Sequence, residues 1–121
     1  MNENKIQFDI VMWFNNSFCL KNDKQRGLIF AVPNGGTRNI KEAMVLKSTG
    51  VLAGVSDLIV ILPNGKLIFV EVKKENGKQS DKQKDFEDRV NKLGYDYWLV
   101  YSLNDFKEII KNDFRNTIPR Q

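Results

Sequence analysis

The sequence predicts an α/β sandwich, a mixed central sheet with helices on both faces, and three observations carry that prediction. Helical and extended patterns alternate along the chain in the order helix, strand, helix, strand, strand, helix, strand, helix. Two apolar runs, 57–62 and 67–73, flank Pro63-Asn64-Gly65 and read as a hairpin. A helical pattern then separates 67–73 from the next strand, which predicts a right-handed parallel crossover. The 121 residues, 41% of them apolar, suit one domain over 1–121 with a modest core.

Each element has its own signal. Ile6, Ile10, Trp13 and Phe14 recur at helical spacing and predict a helix over 3–15. The short apolar run 28–32 is a strand closed by Pro33-Asn34-Gly35-Gly36. Ala43, Met44 and Lys47 fit a second helix ending at Gly50. Ser80-Asp81-Lys82-Gln83 has the form of a capping box, and Phe86, Val90 and Leu93 follow on one helical face until Gly94. The last strand is 97–101. The last helix is 103–114, with Phe106, Ile109 and Ile110 inward.

Composition narrows the chemistry. The chain contains no histidine, which removes the commonest general base and every Ser-His or Cys-His nucleophile pair. Catalysis must then rest on carboxylates, lysines and a hard metal ion. A net charge of +4 permits a polyanionic partner without demanding one. The single cysteine, Cys19, rules out an intrachain disulfide and suits a reducing, cytoplasmic compartment. No apolar run approaches a membrane span, and the polar start MNENKIQFD does not read as a signal peptide.

The hairpin brings acids together. Proline suits the first position of a type I turn, Asn the second, and Gly a following left-handed residue, which predicts a three-residue loop with a bulge. Leu62 then faces Lys66, Ile59 faces Phe69, and Asp57 faces Glu71. Facing residues share a side of the sheet with Cβ atoms roughly 4.5–5.5 Å apart. A two-residue Asn64-Gly65 loop would instead pair Asp57 with Val72 and send Glu71 to the other side. Opposed carboxylates repel unless a cation lies between them, and Mg²⁺ is commonly held by one or two carboxylates with phosphate and water oxygens. Lys73 projects on the side of Glu71 as a compact point charge. Two acids for a metal and one cation for an anionic transition state are what phosphodiester hydrolysis requires.

Gly50-Val51-Leu52-Ala53-Gly54-Val55-Ser56-Asp57-Leu58 followed by Glu71-Val72-Lys73 resembles the PD-(D/E)XK signature, whose fold is restriction-endonuclease-like. More narrowly, most of the chain is similar to the VRR-NUC domain in its compact, stand-alone bacteriophage form. Glu3 and Gln7 match that family's N-terminal acid and glutamine, Pro33-Asn34-Gly35-Gly36 with Arg38 its glycine-bearing loop, and Gln83 with Phe86 its following helix. Ser56 stands where the signature often has proline.

The resemblance implies a deoxyribonuclease dependent on Mg²⁺ or Mn²⁺, with no small-molecule organic cofactor. It implies a homodimer able to cut branched DNA such as a four-way Holliday junction, acting in the host cytoplasm if phage-encoded. By position, Asp57 and Glu71 would bind metal, the Val72 carbonyl would add a ligand, and Glu3 would be a further acid. Lys73 would assist the nucleophile and Gln83 would support the site.

Other readings of these residues stay open. Gln83 reads equally as the capping residue of Ser80. Asn34, Gly35, Gly36 and Arg38 form either a phosphate-approaching loop or a plain turn. Lys74, Lys78, Lys82 and Lys84 are either a solvated face or a path for a DNA backbone. Trp13, Trp98 and the tyrosines read as core or interface, not as base-stacking platforms. A non-catalytic DNA-binding or assembly module, or a hydrolase of small phosphate esters, would use the same frame.

Overall fold

A computed structural model describes residues 2–19, 26–33 and 40–117, with side chains as far as 113. Its elements are α1 (Glu3–Phe14), β1 (Leu28–Ala31), α2 (Ile40–Ser48), β2 (Leu58–Ile61), β3 (Leu67–Val72), α3 (Asp81–Lys92), β4 (Asp96–Val100) and α4 (Leu103–Thr117). The four strands form one sheet in the order β1-β2-β3-β4. The first two pairings are antiparallel, and β3 pairs with β4 in parallel, as a crossover through α3 requires.

The turn chemistry sets the register. Leu62 N–H donates to the Lys66 carbonyl at 2.8 Å, and Gly65 N–H to the Leu62 carbonyl at 2.8 Å. Gly65 has φ +90°, the left-handed conformation the bulge needs. Ile59 therefore faces Phe69 and Leu58 faces Val70, the predicted three-residue register.

Alternation along the strands divides the interior into two layers. Leu58, Val60, Ile68, Val70, Val72, Trp98 and Val100 meet Ile6, Ile10 and Phe14 of α1 and Phe106 and Ile110 of α4. On the opposite face Phe69 and Tyr97 meet Phe86 and Val90 of α3. Phe69 and Phe86 stand edge to face with ring centroids 5.3 Å apart. Trp98 is buried and Trp13 packs beside Phe106, so both serve the core as predicted. Glu71 lies on the α3 face of a strand with neighbours on both sides.

Boundaries differ from the sequence reading in places. Below α1 the chain continues as a π-helical segment, Asn15–Cys19, where 3–15 was expected. Its Phe18 packs on Phe14, with centroids 5.0 Å apart, which holds the segment to the core. Strand β2 begins at Leu58, not Asp57, because the Asp57 side chain, not its backbone, takes the next hydrogen bond on that edge. Strand β4 runs one residue earlier than expected, since Asp96 pairs with Ile68 and Tyr101 lies past the ladder. Helix α4 reaches Thr117, beyond the expected 114. Among the described residues, no helix is long and apolar enough to cross a membrane.

Candidate active site

The site is built where the hairpin opens. Asp57 is fixed from both sides: its carbonyl accepts from Val32 N–H at 2.9 Å, and its Oδ2 accepts from Val72 N–H at 2.8 Å. The carboxylate thus stands in for a ladder acceptor and is carried to β3 beside Glu71. Ser56, fully buried, donates its hydroxyl to the Leu58 carbonyl at 3.1 Å. That bond shapes the chain entering Asp57, a conformational task that the signature's proline would otherwise perform by restricting φ.

Glu71 is 1% exposed. Its Oε2 accepts from Gln83 Nε2 at 3.0 Å and lies 3.7 Å from Lys73 Nζ. Its Oε1 is buried with no hydrogen-bond donor. Burial pushes the Glu71 carboxyl up to about 8 from the ordinary 4.5. The Asp57 charge and a shareable hydrogen bond with Asp57 add to the rise; Lys73 opposes it and Glu3 adds slightly. Two ionised carboxylates are both acceptors, so they cannot bond to each other unless a proton, a donor group or a cation lies between them.

Gln83 resolves the choice posed by its sequence context. Its Oε1 accepts from Ser80 N–H at 2.8 Å, and its own N–H donates to Ser80 Oγ at 3.2 Å, completing the capping box. Its Nε2 is left to hold Glu71. An amide has an acceptor end and a donor end, so one side chain caps α3 and ties it to β3.

Glu3 approaches without joining the pair. Its Oε2 accepts from Lys74 N–H at 3.3 Å, just past Lys73. Among the described residues, no three Asp, Glu or Cys side chains gather closely enough to hold a metal together. Glu3 Oε1 is not used by the bond to Lys74, and the Glu3 charge is felt at Glu71. Lys74, Lys78 and Lys82 are exposed, with Lys74 next to Lys73 and Lys82 next to Gln83 along the chain. Asn34, Gly35, Gly36 and Arg38 lie outside the described residues.

Gly54 is a further positioning residue. It has φ +87°, and a Cβ there would stand 2.3 Å from the Lys82 carbonyl oxygen. The loop leading to Asp57 thus lies against the backbone of α3 next to Gln83. Gly54→Ala is expected to lower unfolding free energy by about 2–4 kcal/mol, from left-handed strain plus overpacking. Urea denaturation reads this, and an unchanged midpoint would remove the close approach.

The donor set suits a hard divalent cation. Glu71 has an orphaned buried oxygen and interacts with the carboxylate of Asp57, and such ions take oxygen ligands, completing their shell with water or phosphate. A mixed sheet flanked by helices, with an acid opposite an E-x-K strand, is the restriction-endonuclease-like α/β fold. Comparison narrows this: the VRR-NUC domain profile matches residues 1–104, and the chain belongs to the VRR-NUC domain family. One similar solved structure, a VRR_NUC domain protein, has TM-score 0.72 and 22% identity, over 95% of this chain and 89% of the other. Another, described as a VRR_NUC domain, has TM-score 0.62 and 26% identity, over 90% and 94% respectively. No curated protein matches the chain. The family's fold is a nuclease-type, DNA-processing one.

Proposed function

We propose that this chain, acting as one domain, is a deoxyribonuclease that hydrolyses phosphodiester bonds with Mg²⁺ or Mn²⁺ and works on branched DNA such as four-way junctions. The observation that carries the proposal is the buried, donor-less Oε1 of Glu71 beside Asp57, with Lys73 Nζ 3.7 Å from the other Glu71 oxygen. Asp57 and Glu71 would hold the metal, and the Val72 carbonyl would add a ligand. When bound, the ion supplies Lewis acidity and lowers the pKa of attacking water. Lys73 offers its ammonium to the charge that builds on the phosphorus oxygens. Gln83 holds Glu71 in place, and Glu3 adds negative field from the Lys74 side. Lys74, Lys78 and Lys82 neutralise the DNA backbone near the site. A non-catalytic module would have no use for an acid pair kept in a buried, mutually repelling arrangement.

The same reading includes a homodimer. Helix α2 buries no side chain, and among the described elements none packs against it. Ile40, Met44 and Val45 are 81%, 66% and 56% exposed, apolar surface that a second copy would cover. The experiment is incubation with supercoiled plasmid and with a four-way junction, each with Mg²⁺, with Mn²⁺ and with EDTA. Metal-dependent cutting is expected, with the junction preferred over linear duplex. Absence of cutting on every substrate would sink the nuclease, and equal cutting in EDTA the metal. Sedimentation at the mass of one 14.0 kDa chain would remove the dimer.

A further inference from the structure

A groove of about 760 Å³ lies between α2, the loop that follows it, and α3. Its apolar lining comes from Leu46, Val51, Leu52 and Ala53. Val51 and Leu52 are 48% and 44% exposed, so this surface is presented to a ligand and not sealed in the core. Cations stand on both sides: Lys47 on α2, with Lys82 and Arg89 on α3. The one acid among the lining residues, Asp85, is offset by Arg89, 4.0 Å away. Among the described residues, no ion pair engages Lys47 or Lys82.

One end of the groove is Gly54, where the loop meets α3 at Lys82 and Gln83. Gln83 in turn holds Glu71 at 3.0 Å, so this end of the groove adjoins the residue that ties α3 to the acid pair. Its charge suits a polyanion, and its floor limits which one. In a duplex the bases are stacked inside, and a protein meets phosphates, sugars and groove edges. A cationic groove with apolar side chains along its length suits nucleotides whose bases are free to turn toward the protein.

We infer that this groove binds an unpaired DNA strand leading to or from the scissile phosphate, with Lys47 and Arg89 on its phosphates and Leu52 against the bases. The inference rests on the nuclease reading and deepens it: among branched substrates, one with a single-stranded segment next to the cut binds more tightly than a fully paired one. Lys47 and Arg89 are exposed surface positions, so their replacement leaves the core untouched.

The test compares a duplex carrying a single-stranded tail with the same duplex made blunt, by fluorescence anisotropy in EDTA so that neither is cut. The double variant Lys47→Ala/Arg89→Ala is expected to bind the tailed duplex about tenfold more weakly. Its log–log salt slope should fall by about 0.7 for each single-strand phosphate that is no longer neutralised. Leu52→Ser should weaken tailed binding without altering the slope. Affinity for the blunt duplex should be unchanged in all three proteins. Equal losses on tailed and blunt DNA, no loss on either, or no binding of tailed DNA by the wild type would each overturn the groove. Metal-dependent cleavage by the wild type, measured alongside, separates the two readings: cutting with an inert groove keeps the nuclease and discards only the strand path.

Discussion

Asp57→Asn is expected to lower DNA cleavage by about 10³-fold or more, with the fold intact. The amide keeps an oxygen that can accept from Val72 N–H, so the 2.8 Å tie between the hairpin strands survives. What disappears is one of two negative charges available to a metal. Lewis-acid stabilisation of transition-state charge is worth several kcal/mol, and each 1.36 kcal/mol is about tenfold in rate. Lys73→Ala should cost about 10²–10³-fold, the usual effect of deleting one group that stabilises developing anionic charge. Lys107→Ala is the control: its ammonium lies over the Trp13 ring at 5.5 Å, on the α1–α4 side of the sheet, and its loss should leave cleavage unchanged. Initial rates on plasmid or junction under saturating metal decide the matter. Wild-type rates from either site variant would strip that residue of its role.

The second large effect is on stability, and it runs against the first. The Glu71 carboxyl is held near 8 in the folded protein against an ordinary 4.5. Below 4.5 it is protonated whether folded or not. Between the two values the folded chain keeps a proton that the unfolded chain releases, so folding loses stability as pH rises, and the loss is complete above about 8. The full span corresponds to a decline on the order of 5 kcal/mol in metal-free protein, from 1.36 kcal/mol per pKa unit. Glu71→Gln removes the titrating group while an amide oxygen can still accept from Gln83. The variant should be inactive, flatter in its pH profile than wild type, and more stable than wild type at alkaline pH in EDTA. A divalent cation held at the proposed site would bind the ionised pair, so its stabilisation of wild type should grow with pH. Thermal melts with EDTA and with Mg²⁺, well below and well above pH 8, read all of this. Parallel pH profiles for wild type and Glu71→Gln would show that Glu71 is not the group responsible.

Both effects come from one arrangement, two carboxylates brought together by a hairpin and closed over by a helix. A buried acid without a donor on one oxygen destabilises the metal-free fold. It also leaves an oxygen whose lone pairs are not satisfied by the protein. Stability given up at a site in the absence of its ligand is a common property of functional clusters, and here the burial of Glu71 identifies the atom concerned.

Much of this was written in short stretches of chain. Pro63-Asn64-Gly65 carries its own φ preferences, and those set the register that puts Ile59 opposite Phe69 and carries Asp57 toward Glu71. Period-two and helical patterns placed the strands and helices to within a few residues, because burial repeats along each element on a local scale. The same local character explains the misses. The π-helical segment at Asn15–Cys19 has no turn or capping signal, and the packing of Phe18 on Phe14 holds it. Ser56 read as a departure from a signature, and only its burial and its bond to the Leu58 carbonyl revealed a positioning role.

Tertiary structure alone decided how α3 meets the hairpin. Gln83 both caps its helix and holds Glu71, a dual use that needs β3 and α3 at a particular separation. Gly54 permits that separation by letting backbone lie on backbone at Lys82. Glu3 of α1 accepts from the Lys74 amide, a contact between segments 71 residues apart. From sequence alone came the identity of the groups and the strand face they share, because backbone sterics and side-chain alternation act between near neighbours. Their burial, their protonation and their partners came from the packing of distant segments, because desolvation depends on everything that surrounds an atom.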